Sequence, residues 1–389
     1  MSFHVASEKE IVEGKTTDIY FERTVEVLKK YGLDKVHVVV EVTAYGLPEN
    51  WQWAVFVGLE ELIHLMKGKR INMYAMPEGT IFKPMEPVVK IEGPYGEFAV
   101  FETAILGVLC QASGIATRAA RLRKLSKDKI LLSFGVRRMH PSIAPMIDRA
   151  AVIGGFDGYS GIAAEKFIGF PPAGTMPHAL ILVFGDQREA WKAFDEALPK
   201  EVPRIALVDT LWDEKFESLA AAELLKDRLY GVRLDTPGSR RGNFKKIIEE
   251  VRWELDIRGY KHVKIFVSGG LNEKTLRELS DAPVDGYGIG TFVANAPTVD
   301  FALDIVEKEG KPLAKRGKLS GSKQVWRCNT CGYREITLFN VTTKTCPKCG
   351  SVMEALLKPV IKDGKVVVKL PKVKEIREYV KKQLESVEI

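Results

Sequence analysis

Between Lys129 and Pro297, short apolar runs alternate with helix-like segments, and this alternation constrains the fold more than any other feature of the chain. The apolar runs are KILLSFG, RAAVIGG, RIALVDT, LYGVRLDT, HVKIFVSGG and VDGYGIGT, and the segments between them include KFESLAAAELLKDRL and NFKKIIEEVRWELDI. Repeated strand and helix alternation predicts parallel strands joined by helical crossovers. Both an α/β barrel and an open doubly wound sheet satisfy this pattern.

Polar and glycine residues follow nearly every apolar run. Arg137 and Arg138 come after LLSFGV, Asp157 comes after VIGGF, and Asp209 comes after IALV. The later runs end in Arg233, Asp235, Ser268-Gly269-Gly270 and Gly288-Ile289-Gly290-Thr291. In a parallel α/β barrel the carboxyl ends of the strands form one rim around one site, so we favour the barrel over the open sheet. The alternative is that these are ordinary loop residues of an α/β fold.

The sequence on either side of the alternation differs in character, which predicts three domains. Residues 1–115 combine strand-like HVVVEVTAY (37–45) and PVVKIEG (87–93) with helix-like WAVFVGLEELIHLM (53–66), and predict an α+β cap domain. The barrel is placed at 116–305, entered by the long helix TAILGVLCQASGIATRAARLRKL. Residues 306–389 form a C-terminal extension, part of which is expected to pack back on the cap.

Charge is spread unevenly along the 389 residues. The chain carries 58 Lys and Arg against 51 Asp and Glu, but from Gly310 onwards the counts are 18 and 7, a net charge of +11. The preceding residues carry a net charge of −4, so a polyanion would have to bind the C-terminal region alone. A solvated lysine face is the commoner cause of such a bias, and we do not expect a nucleic-acid partner.

The sequence shows no sign of secretion or of a membrane partner. The first fifteen residues lack the apolar run of a signal peptide. The uncharged stretch 103–117 is short, and the stretch 167–185 is interrupted by three prolines and His178, so neither suits a bilayer span. These features predict a soluble cytoplasmic protein.

Four of the five cysteines form two matched pairs near the C-terminus. Cys328 and Cys331 are followed, after fourteen residues, by Cys346 and Cys349, and each CxxC pair precedes a glycine. Four thiolates at this spacing can bind one metal ion tetrahedrally, zinc being the best fit and iron the alternative. Two disulfides or a redox pair would fit a cytoplasmic chain poorly. With no open coordination position, the metal is expected to be structural and the extension to brace an interface.

The predicted rim combines arginines, aspartates and two glycine-rich turns, which together suggest an anionic, phosphate-bearing substrate. Guanidinium groups bind phosphate or carboxylate through two hydrogen bonds, and the backbone N–H groups of glycine turns can cradle a phosphate. Asp209 and Asp235 could bind sugar hydroxyls, coordinate magnesium or cap the following helices. His178, beside the apolar run ALILVF, is locally best interpreted as a hydrogen-bonded core histidine next to a strand.

A series of segments in order through most of residues 5–300 resembles nicotinate phosphoribosyltransferases. The segments are TTDIY (16–20), SGIATRAARL (113–122), SFGVRRMHP (133–141), GGFDGYSG (154–161), AGTMPHA (173–179), LVDT (207–210), VRLDTPG (232–238), VSGG (267–270) and GIGT (288–291). The resemblance implies a type II enzyme with an α/β cap, an irregular α/β barrel of about seven strands, and a head-to-tail homodimer with shared active sites. Such enzymes join nicotinate to 5-phosphoribosyl pyrophosphate in NAD salvage, coupled to ATP hydrolysis. The cysteine knuckles resemble the C-terminal extension of some archaeal-type members.

The resemblance also implies roles for individual residues. Phe134 and Tyr20, the latter from the partner subunit, would sandwich the pyridine ring, with Arg137 facing the base. Arg138, Arg233 and Asp235 would bind the ribosyl pyrophosphate. The remaining substrate-binding positions are Asp157 and Ser160 near the base, the turn residues Ser268 and Gly288, and, around the 5-phosphate, Gly269, Gly270, Gly290 and Thr291.

The histidine of the GTxxH motif is phosphorylated by ATP in this family, which replaces the core interpretation of His178 and places a helix after it. Phosphorylation would favour productive binding of the donor and magnesium. The catalytic residues expected are His178, Arg137, Asp209 and Asp235.

The chain departs from many relatives in FERT after Tyr20 and in GYSG near Asp157. Quinolinate phosphoribosyltransferase is accordingly the alternative function, and a metal-ribbon nucleic-acid-binding protein a more remote one.

Overall fold

The computed structural model describes residues 2–389 and divides into two compact units, Arg118–Asn295 and the remainder of the chain on either side of it. The helices are α1 Glu8–Val12, α2 Ile19–Lys30, α3 Leu59–Met66, α4 Glu102–Ser126, α5 Ala144–Ile153, α6 Glu165–Ile168, α7 His178–Phe184, α8 Gln187–Ala197, α9 Glu214–Leu225, α10 Phe244–Ile257, α11 Glu273–Glu278, α12 Thr291–Ala294 and α13 Val373–Leu384. The strands are β1 His37–Ala44, β2 Ala54–Val55, β3 Asn72–Ala75, β4 Ile81–Phe82, β5 Pro87–Pro94, β6 Ile130–Ser133, β7 Gly158–Tyr159, β8 Arg204–Leu207, β9 Leu229–Leu234, β10 Lys264–Ser268, β11 Gly286–Ile289, β12 Phe301–Lys308, β13 Lys311–Pro312, β14 Lys323–Arg327, β15 Arg334–Leu338, β16 Glu354–Ala355, β17 Lys358–Lys362 and β18 Lys365–Val366.

The unit Arg118–Asn295 is built on a six-stranded sheet in the order β7-β6-β11-β10-β9-β8. All neighbouring strands are parallel, as the strand and helix alternation predicted. The sheet has six strands rather than the predicted seven, and no ladder joins its edge strands β7 and β8 within residues 2–389. The arrangement is therefore a half-barrel of parallel strands, and the irregular barrel of about seven strands is not confirmed.

The run RAAVIGG is not the strand that the sequence predicted, because it forms the end of helix α5 and the turn after it. Pro145 lies in the first helical turn, where its missing N–H costs no hydrogen bond. Ile147, Ala150 and Ala151 are buried, and the chain leaves the helix through Gly155 at φ +117°. Periodicity alone cannot distinguish helix from strand in so short an apolar run.

The other unit contains a seven-stranded sheet in the order β13-β12-β1-β5-β3-β17-β18, with every pairing antiparallel. Strand β1, HVVVEVTA, is rich in β-branched residues and is buried at every position after His37. Strands β12 and β17 come from the C-terminal part of the chain and pair with β1 and β3. The domain boundary predicted after residue 305 thus falls inside β12.

The segment 53–66, predicted as one helix, contains strand β2 followed by the shorter helix α3. Gly58 separates them at φ +107°, and a Cβ at this position would lie 2.4 Å from the Val108 carbonyl oxygen. Only glycine tolerates both the left-handed backbone and the close approach. The chain therefore turns at Gly58 instead of continuing one helix.

Helix α4 is the long helix that the sequence predicted. By length and composition the helical stretch Ala99–Ser126 could also cross a membrane. The sequence analysis considered only its uncharged part, residues 103–117, which is too short for a bilayer span. Half of its most apolar window is buried inside the molecule, and Ile105 and Leu109 belong to the hydrophobic core around β1 and β5. A core helix has this same composition and burial.

Candidate active site and metal centre

The unit Arg118–Asn295 has a cavity of about 280 Å³ at the carboxyl ends of four parallel strands, β6, β9, β10 and β11. Most of the substrate-binding residues expected from the sequence contribute to its wall. The lining residues are Phe134, Arg137, Arg138, Arg233, Asp235, Ser268, Gly269, Gly270, Leu271, Asn272, Gly288, Gly290, Thr291 and Phe292. The rim predicted from strand ends therefore exists for these four strands.

Glycines make room for the side chains of this cavity. A Cβ on Gly288 would lie 2.3 Å from the Phe134 ring, so only glycine in β11 allows that ring to occupy its position. Gly269 and Gly270 adopt φ +82° and +62°, in the left-handed region that favours glycine. The helices that follow these turns, α11 and α12, have only 6 and 4 residues. An anion in this cavity would therefore be bound by backbone N–H groups and side-chain cations, and not by the dipole of a long helix.

An ion pair between Arg233 and Asp235 forms the floor of the cavity. The Arg233 Nη1 atom lies 3.3 Å from Asp235 Oδ2 and donates to Ser268 Oγ at 3.0 Å. The Ser268 hydroxyl donates in turn to Asp235 Oδ1 at 2.7 Å. Burial lowers the pKa of the Arg233 guanidinium, while the Asp235 and Asp209 carboxylates act in the opposite direction. The three side chains hold one another in place through charge-assisted hydrogen bonds.

Arg241 is a second cation beside the glycine turn, and the sequence interpretation missed it. Its Nη2 atom donates to the Ser268 carbonyl oxygen at 2.8 Å and also to the Gly269 carbonyl oxygen. Arg241 lies in the loop before α10, where the basic pair Arg240-Arg241 was the only available signal. Its position places a guanidinium at the same turn that is expected to hold a phosphate.

His178 lies at the first position of helix α7, as the family resemblance implied, and not beside a strand. Its Nδ1 atom is 3.0 Å from the Thr210 hydroxyl, and its Nε2 atom is 3.5 Å from Asp235 Oδ2 and 3.8 Å from Asp209 Oδ1. The Thr210 hydroxyl can donate to an unprotonated Nδ1 or accept from a protonated one, so this contact is linked to which ring nitrogen carries the proton.

Asp209 is almost entirely buried, with 2% of its side chain exposed. Its Oδ2 atom accepts a hydrogen bond from the backbone N–H of Asp235 at 2.7 Å, whereas Oδ1 is buried without a partner among residues 2–389. Burial raises the pKa of Asp209 to about 6, against the opposing effect of the nearby His178. The unsatisfied oxygen is directed at His178, so a protonated imidazole or a bound cation would stabilise it.

Two of the predicted base-pocket residues do not line the cavity. Asp157 precedes β7, so it lies at the amino end of that strand, where it pairs with Arg123 and accepts a hydrogen bond from the Leu131 backbone at 2.9 Å. One of the two grounds for predicting Asp157, a strand over VIGG, fails because this run belongs to helix α5 and the turn after it, whereas the family resemblance remains as the other ground. Ser160 follows β7 without reaching the cavity.

Tyr20 lies on helix α2 of the other unit, where 56% of its surface is exposed. Its ring centroid is 4.2 Å from that of Phe21, and burial is the largest of the effects that raise the pKa of its hydroxyl. The exposed ring is available for contact with a second molecule.

The sequence interpretation also missed Asp148, a fully buried acid on α5. Its carboxylate accepts hydrogen bonds from the Ser133 hydroxyl at 2.8 Å and from the Gly161 backbone at 2.9 Å. Burial raises the pKa of Asp148 to about 6. Because the run RAAVIGG directly after it was assigned to a strand, nothing local in the sequence indicated that this carboxylate ties the end of β6 to the segment after β7.

The four cysteines predicted to bind a metal come together in the three-stranded β15-β14-β16 ribbon. Their Sγ atoms lie within 4.8 Å of one another, with 3.4 Å between Cys328 and Cys349 and 3.5 Å between Cys331 and Cys346. Tetrahedral Zn–S bonds of about 2.3 Å require sulfur separations of about 3.8 Å. The thiols are therefore arranged to fit one tetrahedral ion.

The two knuckles repeat the same backbone geometry. The Gly332 N–H donates to the Cys328 carbonyl at 2.9 Å, and the Gly350 N–H donates to the Cys346 carbonyl at 2.9 Å. Both glycines have positive φ, +71° and +72°. Cys328 and Cys346 are buried with Trp326 and Met353 in a small apolar cluster of their own.

Three sequence models of known domain families match the chain. The model described as quinolinate phosphoribosyl transferase, C-terminal domain, matches residues 115–304, and the corresponding N-terminal domain matches residues 18–113. Residues 334–388 match the nicotinate phosphoribosyltransferase C-terminal domain. The matched regions include the cavity, helix α2 with Tyr20, and the second cysteine pair, Cys346 and Cys349.

Individual proteins similar to the chain carry related names. A crystal structure titled nicotinate-nucleotide pyrophosphorylase from Pyrococcus furiosus is 56% identical, with a TM-score of 0.97 and full coverage of both chains. A nicotinate phosphoribosyltransferase of Bacillus subtilis is 29% identical over 76% of this chain and 67% of its own length. A nicotinate phosphoribosyltransferase of Mycobacterium tuberculosis is 31% identical over 69% of this chain. The chain spans only 60% of the mycobacterial relative.

Proposed function

The chain belongs to the nicotinate phosphoribosyltransferase family, and on that basis we propose that it joins nicotinate to 5-phosphoribosyl pyrophosphate, with ATP as a co-substrate. The products are nicotinate mononucleotide and pyrophosphate, a step of NAD salvage in the cytoplasm. The observation that carries this proposal is the cavity in which Phe134, three arginines and two glycine turns meet beside His178 and its two carboxylates.

The base is proposed to bind between Phe134 and the nearby arginines. The flat Phe134 ring can stack on the pyridine, and Arg137 can pair with the carboxylate of nicotinate. Tyr20 of a second copy of the chain would cover the other face of the ring in a homodimer, which its exposure permits. The ring nitrogen then attacks the anomeric carbon of the ribosyl donor, and the bond from that carbon to the pyrophosphate oxygen breaks as pyrophosphate leaves. Fixing both reactants in this geometry supplies much of the catalysis.

The phosphoribosyl donor is proposed to lie along the glycine turns. Backbone N–H groups of Gly269, Gly270 and Gly290, with the Thr291 hydroxyl, are available to the 5-phosphate. Arg241 adds a positive charge at the same turn, while Arg138 and Arg233 can neutralise the pyrophosphate. Asp235 is placed to accept hydrogen bonds from ribose hydroxyls.

His178 is proposed to accept the γ-phosphoryl group of ATP. Thr210 contacts one ring nitrogen, and the carboxylates of Asp209 and Asp235 face the other, so the orientation of the imidazole is fixed. With its proton on Nδ1 and donated to the Thr210 hydroxyl, the neutral imidazole carries its lone pair on Nε2, and the N–P bond forms there as the bond from the γ-phosphorus to the bridging oxygen breaks and ADP leaves. Water later hydrolyses the phosphohistidine to inorganic phosphate and restores the imidazole.

Two metals are included in the proposal. Magnesium would supply positive charge to the phosphates, and the Asp209 and Asp235 carboxylates are the oxygen donors that suit it. Zinc would be held by Cys328, Cys331, Cys346 and Cys349, where four thiolates leave no position for substrate, so its role is structural.

Two alternatives make different predictions about the substrate. Quinolinate phosphoribosyltransferase is supported by the names of the domain models that match residues 18–304. It would need a further cation for the second carboxylate of its substrate. A nucleic-acid-binding metal ribbon would use the basic C-terminal region, with strongly salt-dependent affinity.

The test is product formation from 5-phosphoribosyl pyrophosphate and magnesium with nicotinate, nicotinamide or quinolinate offered separately. Nicotinate mononucleotide formed from nicotinate supports the proposal. Product from quinolinate alone, with release of carbon dioxide, would assign the alternative, and no product from any of the three bases would reject both enzymes.

A further inference from the structure

Helix α9 carries two glutamates, one turn apart, that bind the two loops following the aspartates beside His178. Glu217 contacts the loop after β8, which contains Asp209, and Glu214 contacts the loop after β9, which contains Asp235. Neither glutamate lines the cavity within residues 2–389. Glu217 binds the loop whose Thr210 contacts His178, and Glu214 binds Thr236, the residue after the cavity-lining Asp235.

Glu217 is fully buried, and its carboxylate accepts hydrogen bonds from three successive backbone N–H groups. Oε2 accepts from Thr210 at 3.2 Å, and Oε1 accepts from Leu211 at 2.8 Å and Trp212 at 2.7 Å. Successive N–H groups of this kind form a concave anion site. Here the anion is a side chain of the chain itself, so the loop is fixed at the residue whose hydroxyl contacts His178.

Glu214 makes the corresponding contact with the neighbouring strand. Its Oε1 atom accepts a hydrogen bond from the Thr236 hydroxyl at 2.7 Å, and Thr236 is buried. Thr236 follows Asp235 directly, as Thr210 follows Asp209. One helical turn therefore holds both Asp-Thr pairs.

Capping of α9 does not explain these contacts. Asp213 precedes the helix, and its carboxylate already accepts hydrogen bonds from the N–H groups of Lys215 and Phe216. A carboxylate as buried as Glu217 is costly unless hydrogen-bonded, and its hydrogen-bond partners Thr210, Leu211 and Trp212 lie in the loop that contacts His178.

We propose that Glu217 is a positioning residue for the phosphorylation of His178: it fixes Thr210, whose hydroxyl sets the orientation and tautomer of the imidazole. Glu214 supports Asp235 from the same helix through Thr236. This inference rests on the proposed function, because it assigns the two glutamates to the ATP-dependent step.

The test uses Glu217→Gln, Thr210→Val and the double variant in the full-length protein. The carbonyl oxygen of glutamine can still accept from Leu211 and Trp212, but its amide group then faces the Thr210 N–H, so the disturbance is directed at Thr210. The initial rate of His178 phosphorylation by ATP is measured in each protein by mass spectrometry. Outer partners of metal-ligating histidines typically contribute about 10- to 100-fold, and we expect Glu217→Gln to slow phosphorylation of His178 by a comparable factor.

The decisive comparison is between the double variant and Thr210→Val alone. If Glu217 acts through Thr210, the two proteins phosphorylate His178 at the same rate. Losses that multiply in the double variant would overturn the inference. Glu223→Gln, on the exposed part of the same helix, is the matched control and should phosphorylate at the wild-type rate.

Two further results test the inference if Glu217→Gln does not fold or if the wild-type protein is not phosphorylated. If Glu217→Gln does not fold, amide hydrogen exchange in the wild-type protein replaces it: the Thr210, Leu211 and Trp212 amides should exchange slowly, and rapid exchange would overturn the inference. Wild-type protein that is never phosphorylated on His178 would instead reject the ATP-coupled function itself.

Discussion

Asp209 Oδ1 lies 3.8 Å from His178 Nε2 and has no hydrogen-bond partner among residues 2–389. The other oxygen of the same carboxylate is fixed by the backbone N–H of Asp235 at 2.7 Å. A buried, half-satisfied carboxylate directed at a histidine is costly to the fold, and such costs are concentrated at functional sites. The Asp209–His178 pair therefore marks a functional position, where the buried carboxylate of Asp209 faces the imidazole.

The first prediction concerns the pH dependence of His178 phosphorylation. Because burial raises the pKa of Asp209 to about 6, the carboxylate becomes protonated as the pH falls through that value. We expect ATP hydrolysis to decrease on the acid side of about pH 6 in the wild-type protein. Asp209→Asn should be slow at every pH and lack this decrease; an unchanged acid limb in the variant would contradict the assignment.

The same substitution makes a separate prediction about stability. The pKa of Asp209 in the folded protein is raised above its ordinary value of 3.8, so ionisation above about pH 6 opposes folding. Asp209→Asn should therefore be at least as stable as the wild-type protein at pH 8, as measured by thermal unfolding. A large loss of Tm at pH 8 would indicate that the carboxylate has a structural role instead.

Arg241 is predicted to bind the phosphoribosyl donor. Removing its guanidinium from the glycine turn in Arg241→Ala should raise the KM for 5-phosphoribosyl pyrophosphate by about tenfold or more, since a charge-assisted contact contributes about 1.5–3 kcal/mol. The KM for nicotinate should change little. Arg240→Ala, at the exposed neighbouring position, is the control, and equal effects of the two variants would argue against the assignment.

Gly288 is predicted to be essential for the position of the Phe134 ring. A Cβ at this position would lie 2.3 Å from the ring, so Gly288→Ala must displace Phe134 at a cost of about 1–3 kcal/mol. The KM for nicotinate should rise. Gly107→Ala, where a Cβ meets nothing within 4 Å, should leave that KM unchanged. If Gly288→Ala keeps the wild-type KM for nicotinate, the assignment of Phe134 to the base site is contradicted.

The four-cysteine cluster is predicted to hold one zinc ion per chain with a structural role. Cys346→Ser should lose the metal and lower the Tm, because structural zinc contributes folding free energy directly. Elemental analysis and thermal unfolding measure both effects, with Cys110→Ser as the control. Protein that contains neither zinc nor iron would contradict the prediction.

Sequence interpretation succeeded where the local residue pattern was specific to one type of secondary structure. The ends of β9, β10 and β11 were located correctly because each buried strand is bounded by a polar or glycine turn. The strand predicted before Asp157 is a helix, because so short an apolar run is compatible with both elements and the burial of Ala150 and Ala151 decides between them.

Other features depend on contacts distant in sequence and leave no local signal. Asp148 reaches Gly161 and Ser133 only after α5 has packed on the sheet. The three N–H groups that bind the Glu217 carboxylate come together only when the loop after β8 has folded back onto α9. The irregular barrel of about seven strands is not confirmed for a similar reason, because the number of strands depends on which short segments find a hydrogen-bonding neighbour.

The most direct test of the proposed function is the rate of nicotinate mononucleotide formation from nicotinate and 5-phosphoribosyl pyrophosphate, measured with and without ATP in the wild-type protein and in His178→Ala. We predict that ATP accelerates the wild-type reaction and that His178→Ala retains only a slow reaction unaffected by ATP. Equal acceleration by ATP in both proteins would contradict the role of His178, and no nicotinate mononucleotide under any condition would contradict the proposed activity.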